Sequence, residues 1–246
     1  SNVDIVFNYG TFNFDEPDFY MKFVRGKLAF YVSIDNFDNF IAEYQQDNRG
    51  ITEQVLNLSC AEKYKVRDLL RENVKAENKF YKYDFTFDNC TTRLRVLVEK
   101  ATDSTVHFGI PVKSRAIFRD FIYEYLDAND KQWSKLGIDI LLGSRMDVVM
   151  TNRQEMFLPD YLMEGFDSAT IGSKKLVSEK ITLLNPVVQP SKTAWFSPMV
   201  VFSILFLIIA ALTCLKTTGQ FFKYFDFILF FLTGALGLLM LFVWFG

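Results

Sequence analysis

The stretch YDFTFDNCTTRLRVLVEK, residues 83–100, changes from an aromatic, strand-like pattern to a helical one near its midpoint. Asp88 and Asn89 are residue types that cap helices well, and Cys90 follows them directly. Apolar side chains then recur at helical spacing through Ala101, which predicts a helix that begins at or beside the cysteine. The unpaired N–H groups and the dipole of a helix start favour negative charge, so a thiol placed there ionises easily. The same position, in phase with the apolar face of the helix, equally suits a packed core cysteine, and the pattern leaves both interpretations open.

Outward from this stretch, short strand and helix patterns alternate. Alternating apolar or β-branched residues predict strands at 3–10, 26–34, 79–87 and 175–184. Helical spacing and capping residues predict helices at 35–46, from Cys60, from Cys90, at 114–126 and at 151–166, with a kink at Pro159 in the last of them. Because strands and helices are interspersed without a regular βαβ repeat, we expect an α+β fold.

The C-terminal part of the chain is almost wholly apolar. WFSPMVVFSILFLIIAALTCL (195–215) and FILFFLTGALGLLMLFVWFG (227–246) contain no charged residue. About 20 apolar residues are enough to cross the hydrocarbon core of a bilayer. We therefore predict one soluble domain, residues 1–190, followed by a transmembrane helix at 195–215 and another at 227–246.

The lysines near these segments predict an orientation. Lys216 and Lys223 lie between the two segments, whereas only Lys192 lies close before the first. Since basic residues in short loops mark the cytoplasmic side, the loop is expected to face the cytoplasm and the soluble domain the outside.

The charge and the cysteine and histidine content argue against a nucleic-acid partner and against a metal site. The chain has a formal net charge of −2 and no basic field, which argues against a nucleic-acid partner.

Cys60 and Cys90 can pair in an oxidising compartment, but their spacing leaves this open, and Cys214 lies in the first apolar segment. His107 is the single histidine, so neither a zinc site nor another cofactor is predicted. His107 follows the predicted helix in a loop and is a weak candidate for a base, because a lone loop histidine is more often structural.

Several stretches together resemble one known family. They are FNYGTFNFDEPDFYMKFVRGKLAFYVS (7–33), EQVLNLS (53–59), ENKFYKYDFTFDNCTTRLR (77–95) and RQEMFLPDYLMEGF (153–166). The sequence resembles the Lnb N-terminal periplasmic domain family of Bacteroidetes over nearly all of residues 5–168, and the apolar tail is similar to that of its members.

This resemblance implies a fold, a nucleophile and a location. The fold would be a circularly permuted papain-like (NlpC-like) core, and Cys90 matches the cysteine of the family's "NC" pair. The Lnb name is attached to lipoprotein N-acylation, in which an acyl chain moves onto the α-amino group of a lipoprotein's lipidated N-terminal cysteine. The expected partners are the membrane and a lipoprotein or phospholipid acyl substrate. The expected location is the bacterial inner membrane, with the soluble domain in the periplasm.

The sequence departs from the family pattern at the histidine that would act as the general base. The resemblance places the family's histidine in a "GHS"-like strand just upstream of the "NYG" segment, and this chain begins after that point; His107 does not match it. With neither an initiator methionine nor a signal peptide, and with Gly246 ending an apolar segment, we expect a fragment that lacks this histidine.

The leading hypothesis is a membrane-anchored cysteine acyltransferase that acts on lipoproteins through a thioester. Cys90 would attack the acyl ester, Asp88 and Asn89 would cap the helix and position the turn, and Arg93 would favour the thiolate. First-turn N–H groups would stabilise the oxyanion. A papain-like cysteine peptidase or amidase of the cell envelope and a non-catalytic envelope protein with a packed Cys90 are the alternatives. Three aromatic residues could line an acyl groove, although core packing is the interpretation we favour: Phe12, Phe14 and Phe19.

Overall fold

The computed structural model describes residues 4–103, 105–109, 115–187, 196–214 and 219–245. Helices and short strands alternate along these residues, as predicted for an α+β protein. The chain divides into two compact units, each described separately below. The first consists of Ser1–Ala116 and Val149–Gln189, and the second of Ile117–Val148 and Pro190–Gly246.

The secondary-structure elements have the following bounds in chain order. The first half contains β1 Ile5–Thr11, α1 Phe19–Val24, β2 Ala29–Asn36, α2 Phe37–Gln46, β3 Ile51–Leu56, α3 Cys60–Asn73, β4 Phe80–Lys82, α4 Cys90–Ala101 and β5 Val106–His107. The second half contains α5 Phe118–Ala128, α6 Gln132–Leu142, a 3-10 turn Gly143–Met146, α7 Asn152–Glu155, α8 Pro159–Ser168, β6 Thr170–Ile171, β7 Lys174–Lys175, β8 Val177–Leu184, α9 Pro198–Cys214 and α10 Gly219–Phe245.

The strands of the first unit form three small antiparallel sheets, with the orders β1-β2-β4, β3-β8 and β5-β6-β7. In the first sheet Asn8 pairs with Ser33 and Thr11 with Tyr31, so β1 has one residue more than β2 over this interval. The extra residue makes a β-bulge, a feature that bends a strand and re-aims its side chains. Gly10 lies in the bulge at φ +92°, a conformation that glycine adopts without a steric penalty.

Helix α4 packs into the first unit along most of its length. Leu97 forms a buried cluster with Tyr9 of β1 and Val32 of β2, and Cys90 packs against the same cluster. The next residue, Val98, belongs to a second cluster with residues of α8 and the strands that follow, such as Phe166. Because neighbouring side chains of α4 are buried against different elements, the core holds the helix in place.

The second unit is helical. A polar network surrounds Arg119 of α5, whose guanidinium pairs with Asp139 of α6 and, at 2.6 Å, with Asp147. The hydroxyl of Tyr123 donates to the same Asp139 carboxylate at 2.7 Å. These hydrogen bonds to the Arg119 guanidinium hold the pKa of Asp147 below its usual range and join α5, α6 and the 3-10 turn.

The two apolar segments are helices with outward-facing apolar side chains. Within α10, residues Phe222–Phe242 form a helix of 21 residues with mean hydropathy 2.2, long and apolar enough to cross a membrane. Helix α9 is a shorter apolar helix of 17 residues. Of the predicted boundaries, Trp195, Leu215 and Gly246 lie outside the described residues.

Most helix starts agree with the sequence prediction. Ser59 caps α3 in a capping box, since its hydroxyl accepts from the N–H of Glu62 and its own N–H donates to the Glu62 carboxylate at 2.8 Å. The prediction for Pro159 was wrong, because the proline begins a separate helix instead of kinking one. Leu158 is extended (ψ 152°), as a residue before proline prefers, and Pro159 occupies the first position of α8.

The strand predicted over 79–87 was too long. Only Phe80–Lys82 pair with β2, and the chain then folds into a tight turn in which the backbones of Asp84 and Asp88 exchange two hydrogen bonds of 3.0 Å. The Asp84 carboxylate accepts from the N–H of Thr86 and of Phe87, an arrangement that competes with strand pairing. This turn delivers the chain to the start of α4.

Candidate functional site

The start of α4 is closed by a complete capping box. Asn89 is extended (φ −116°), and its Oδ1 accepts from the N–H of Thr92 at 2.9 Å. In return, Thr92 Oγ1 accepts from the N–H of Asn89 at 2.9 Å. The predicted cap is therefore Asn89, and Cys90 is the first residue of the helix.

The amide nitrogen of Asn89 ties the cap to the core. Asn89 Nδ2 donates to the carbonyl oxygen of Phe85 at 2.7 Å and to that of Phe157, between α7 and α8, at 2.8 Å. Asn89 is 3% exposed, so these bonds form out of water, where an unmade hydrogen bond is expensive. The Asn89 side chain thus connects the turn before Cys90 with Phe157, which lies 68 residues further along the chain.

The first turn of α4 has amide groups available for a ligand. The N–H of Thr92 donates to the Asn89 side chain, and the N–H of Arg93 donates to the Asn89 carbonyl at 3.0 Å. Within the described part of the chain, no helical or cap acceptor takes the N–H groups of Cys90 and Thr91. Two adjacent N–H groups at the positive end of a helix dipole can stabilise an oxyanion or a thiolate.

The side chain of Cys90 lies between the apolar core and the β1 bulge. It is half-buried and packs against the cluster that contains Tyr9, Val32 and Leu97. A Cβ atom placed on Gly10 would lie 3.3 Å from Cys90 Cβ and 3.8 Å from Sγ, so the backbone of the bulge is in close contact with the thiol. The sulfur is therefore neither sealed in the core nor fully exposed.

Asp88 and Arg93 form one rigid pair beside the cysteine. The Asp88 carboxylate accepts two hydrogen bonds of 2.7 Å from the Arg93 guanidinium, a bidentate arrangement. The guanidinium carbon lies 3.6 Å from the ring centroid of Tyr81, close enough for a strong cation–π contact. Asp88, Arg93 and Tyr81 are therefore stacked in sequence, and the charge of Arg93 is shared between a carboxylate and an aromatic face.

Two tyrosines of the β4 segment lie within electrostatic reach of the thiol. Burial, together with a smaller effect of negative charge on Cys90, raises the pKa of Tyr81 to about 12. Burial and the charge of Cys90 also raise the pKa of Tyr83, whose ring stacks on Phe30 at 4.1 Å. Both phenols are therefore protonated at neutral pH.

A cleft of about 230 Å³ lies beside α4, and it is lined by the neighbours of Cys90 and not by Cys90 itself. Its lining is mixed in polarity and comes from β1, α3, the 84–88 turn and α4. The polar residues are Tyr9, Asn73, Asp88, Thr92, Arg93 and Lys100, and the apolar ones are Leu69, Phe87, Val96 and Leu97. The hydroxyl of Tyr9 accepts from Asn73 Nδ2 at 2.7 Å and so closes one side of the cleft.

Two family models match this chain. The model of the Lnb N-terminal periplasmic domain matches residues 1–130, more than half of the chain. The chain belongs to the Lnb family. A second model, the Lnb transmembrane domain, matches residues 190–246 of this Lnb protein. The comparisons with curated proteins and with solved structures found no match. The Lnb chain is thus a membrane protein with a periplasmic domain, as the resemblance implied.

The other candidate residues of the Lnb chain lie apart from this constellation. His107 is an exposed residue of β5, where it pairs with Thr170 of β6 and not with the elements around Cys90. Cys60, the first residue of α3, is exposed, and both it and Cys90 are free thiols. Among the described residues, no group of three or more His, Cys, Asp or Glu is arranged to hold a metal ion.

The aromatic residues considered for an acyl groove mostly pack on the core of the Lnb domain. Phe12 and Phe19 lie against the buried cluster that contains Phe30, with the Phe12 and Phe30 ring centroids 5.1 Å apart. Phe14 is 72% exposed, although its ring lies 4.8 Å from that of Phe12. Core packing therefore accounts for two of the three.

The sequence pattern does not assign Gly10 or Tyr81 to the candidate site. Gly10 is the last residue of the strand predicted over 3–10, and Tyr81 is one of several aromatic residues in the strand predicted over 79–87. The "NYG" stretch offered a signal for the first, because a glycine inside a strand often marks a bulge or a close backbone approach. No local pattern marks Tyr81, since its contact with the α4 start depends on the pairing of β4 with β2.

Proposed function

We propose that this Lnb chain forms the membrane-anchored catalytic part of a cysteine acyltransferase that acts on bacterial lipoproteins, with Cys90 as its nucleophile. The observation that carries the proposal is the placement of a half-buried, free thiol at the first position of α4, beside amides without helical acceptors. Cys90 would receive an acyl group as a thioester and pass it to the α-amino group of the lipoprotein.

The transfer takes place in two steps. The Cys90 sulfur attacks the acyl carbonyl carbon, the C–S bond forms, and the carbonyl electron pair moves onto oxygen. The N–H groups of Cys90 and Thr91 stabilise this oxyanion, which collapses and expels the alkoxide of the donor ester; the alkoxide takes up the proton that the general base removed from the thiol. The amine of the acceptor then attacks the thioester and loses a proton to the same base, the C–S bond breaks, and the thiolate is regenerated.

The remaining residues of the turn act by positioning. Asn89 holds the first turn of α4 through its three side-chain hydrogen bonds, and Asp88 orients Arg93. The general base is the histidine that the family resemblance implies upstream of the "NYG" strand, and a permuted papain-like core would bring it to Cys90. His107, paired with β6, is a structural residue in this proposal.

The membrane segments anchor the protein where its substrates reside. We propose that α9 crosses the bilayer together with α10, although its 17 residues are fewer than those of an average span, by using flanking residues at the interface. The periplasmic domain would then lie outside the inner membrane, whose lipids and lipoproteins supply donor and acceptor.

The mixed lining of the cleft favours a second candidate, a cysteine peptidase or amidase of the cell envelope. Polar side chains such as Asn73, Arg93 and Lys100 line its wall, and a water-exposed cleft of this kind suits a cell-wall peptide. This candidate uses the same nucleophile and differs in the acceptor, which would be water.

One experiment tests the proposal and separates the two candidates. Full-length protein in phospholipid vesicles is incubated with a diacylated lipoprotein, and N-acylation is followed by mass spectrometry. Cys90→Ser should abolish the product, whereas Cys60→Ser, which removes an exposed thiol, should retain it. Hydrolysis of a cell-wall peptide without N-acylation would favour the amidase, and a Cys90→Ser protein with full N-acylation would contradict both.

A further inference from the structure

The hydroxyl of Tyr81 is a buried polar group with no hydrogen-bond partner among the described residues. Tyr81 is the middle residue of β4 and is 8% exposed. A hydroxyl left unpaired out of water lowers the stability of the fold. Tyrosine is therefore an unfavourable choice here on stability grounds alone, since phenylalanine would fill the same space.

The backbone of Gly10 lies close to both the Tyr81 hydroxyl and the candidate nucleophile. It is in close contact with the Cys90 side chain, and its N–H lies near enough to the Tyr81 hydroxyl to lower the pKa of Tyr81, whereas negative charge on Cys90 raises it. Arg93, one turn beyond Cys90 on α4, covers the ring face at 3.6 Å. The phenol is thus enclosed by residues of the site on several sides.

The ring is held so that the hydroxyl cannot easily turn away. Tyr81 is part of the buried cluster with Leu28 and Phe30. Arg93, which covers the ring, is held by the two hydrogen bonds that it donates to Asp88, a residue of the turn that positions the helix start. Because burial keeps the phenol protonated at neutral pH, its O–H can act as a donor.

We propose that the Tyr81 hydroxyl donates a hydrogen bond to the oxyanion that forms when Cys90 attacks an acyl carbonyl. This inference rests on the proposed nucleophile. The C–S bond forms, the carbonyl electron pair moves to oxygen, and the Tyr81 O–H bonds to that oxygen without giving up its proton; the leaving alkoxide departs when the intermediate collapses. Tyr81 thereby adds a side-chain donor to the two amides of α4, and Asp88 and Arg93 act as positioning residues through its ring.

The test compares two reactions of Cys90 in the full-length protein. A p-nitrophenyl acyl ester acylates the thiol through an oxyanion, whereas iodoacetamide alkylates it by displacement without one. Both products are measured at Cys90 by mass spectrometry. Tyr81→Phe should lower the acylation rate about 100-fold or more, as loss of one oxyanion donor does, and leave the alkylation rate unchanged.

Matched variants keep the comparison specific. Tyr31→Phe removes a phenol from β2 whose ring packs on Phe80, and both rates should stay at the wild-type level. Asp88→Asn weakens the hold on Arg93 and should lower acylation less than Tyr81→Phe does.

The other outcomes separate a failure of Tyr81 as a donor from a failure of Cys90 as the nucleophile. If Tyr81→Phe acylates as fast as the wild type, or if both of its rates fall equally, Tyr81 is not an oxyanion donor while Cys90 remains the nucleophile. If wild-type Cys90 reacts with neither reagent, the proposed function itself fails, and the role of Tyr81 fails with it.

Discussion

Asn89 offers the sharpest test of how the site is held, because one buried side chain makes three hydrogen bonds. Asn89→Ala removes the cap bond to Thr92 and the two bonds to the carbonyls of Phe85 and Phe157. At about 1 kcal/mol for each of these bonds, we expect the free energy of unfolding to fall by about 3 kcal/mol. For a chain of this size, that corresponds to a melting temperature lower by about 6–12 °C.

Asn89→Asp separates the cap from the donor role. Aspartate keeps an oxygen for the N–H of Thr92, and its charge suits a helix start. It cannot donate, however, and at neutral pH it places a carboxylate oxygen against the two carbonyl oxygens of Phe85 and Phe157. We therefore expect Asn89→Asp to destabilise the protein at least as much as Asn89→Ala at pH 7, and to recover in part when acid protonates the carboxyl.

Thermal unfolding of the full-length protein, followed by intrinsic fluorescence in detergent, measures both variants. Thr92→Val, which loses the hydroxyl half of the capping box and the bond that this hydroxyl donates to the Asn89 carbonyl at 3.1 Å, is the control and should cost about 1–2 kcal/mol. An Asn89→Asp protein as stable as the wild type at pH 7 would refute the claim that the two carbonyl contacts hold the turn.

Three further changes test neighbouring features. Gly10→Ala forces a side chain to φ +92° and crowds the candidate nucleophile, so it should cost about 1–2 kcal/mol in thermal unfolding and slow thiol acylation; wild-type behaviour in both would contradict the close contact. Hydrogen bonds from Ser59 hold the pKa of Glu62 below its usual range, so its stabilisation is full above about pH 4.3 and fades as the pH falls. Glu62→Gln should therefore cost about 1 kcal/mol at pH 7 and less as the pH is lowered below about 4.3, and a cost that does not change with pH would exclude this explanation. Gly165→Ala would push into the buried side chain of Met156 and should lower the free energy of unfolding by about 1–3 kcal/mol in thermal unfolding, and an unchanged melting temperature would contradict the close packing of Gly165 on Met156.

Sequence reasoning located the helix starts because their signals are local. Ser59 and Glu62, three residues apart, predict a capping box, and Asn89 before Cys90 predicts a helix that begins at the cysteine; the structure has both. Such bonds join residues within one turn, so the spacing alone contains the information.

The strand that was predicted too long, the strand that was not predicted and the contact of Tyr81 all depend on residues far away in the chain. The strand expected over 79–87 ends after three residues because β2 offers pairing partners only for Phe80–Lys82. Strand β3 was missed altogether, since its partner β8 lies more than 120 residues away. For the same reason, the contact of Tyr81 with the candidate site had no local sequence signal.

If Cys90 is the nucleophile, its sulfur carries an acyl group between the two steps, and this acyl-enzyme can be trapped. Full-length protein is mixed briefly with phospholipid vesicles, quenched in acid and digested, and the peptide that contains Cys90 is analysed by mass spectrometry. We expect an added mass of one acyl chain on that peptide, removed by neutral hydroxylamine as a thioester is and absent from Cys90→Ser. N-acylation of a lipoprotein by protein that never shows an acyl group on Cys90 would contradict the assignment of Cys90 as the nucleophile.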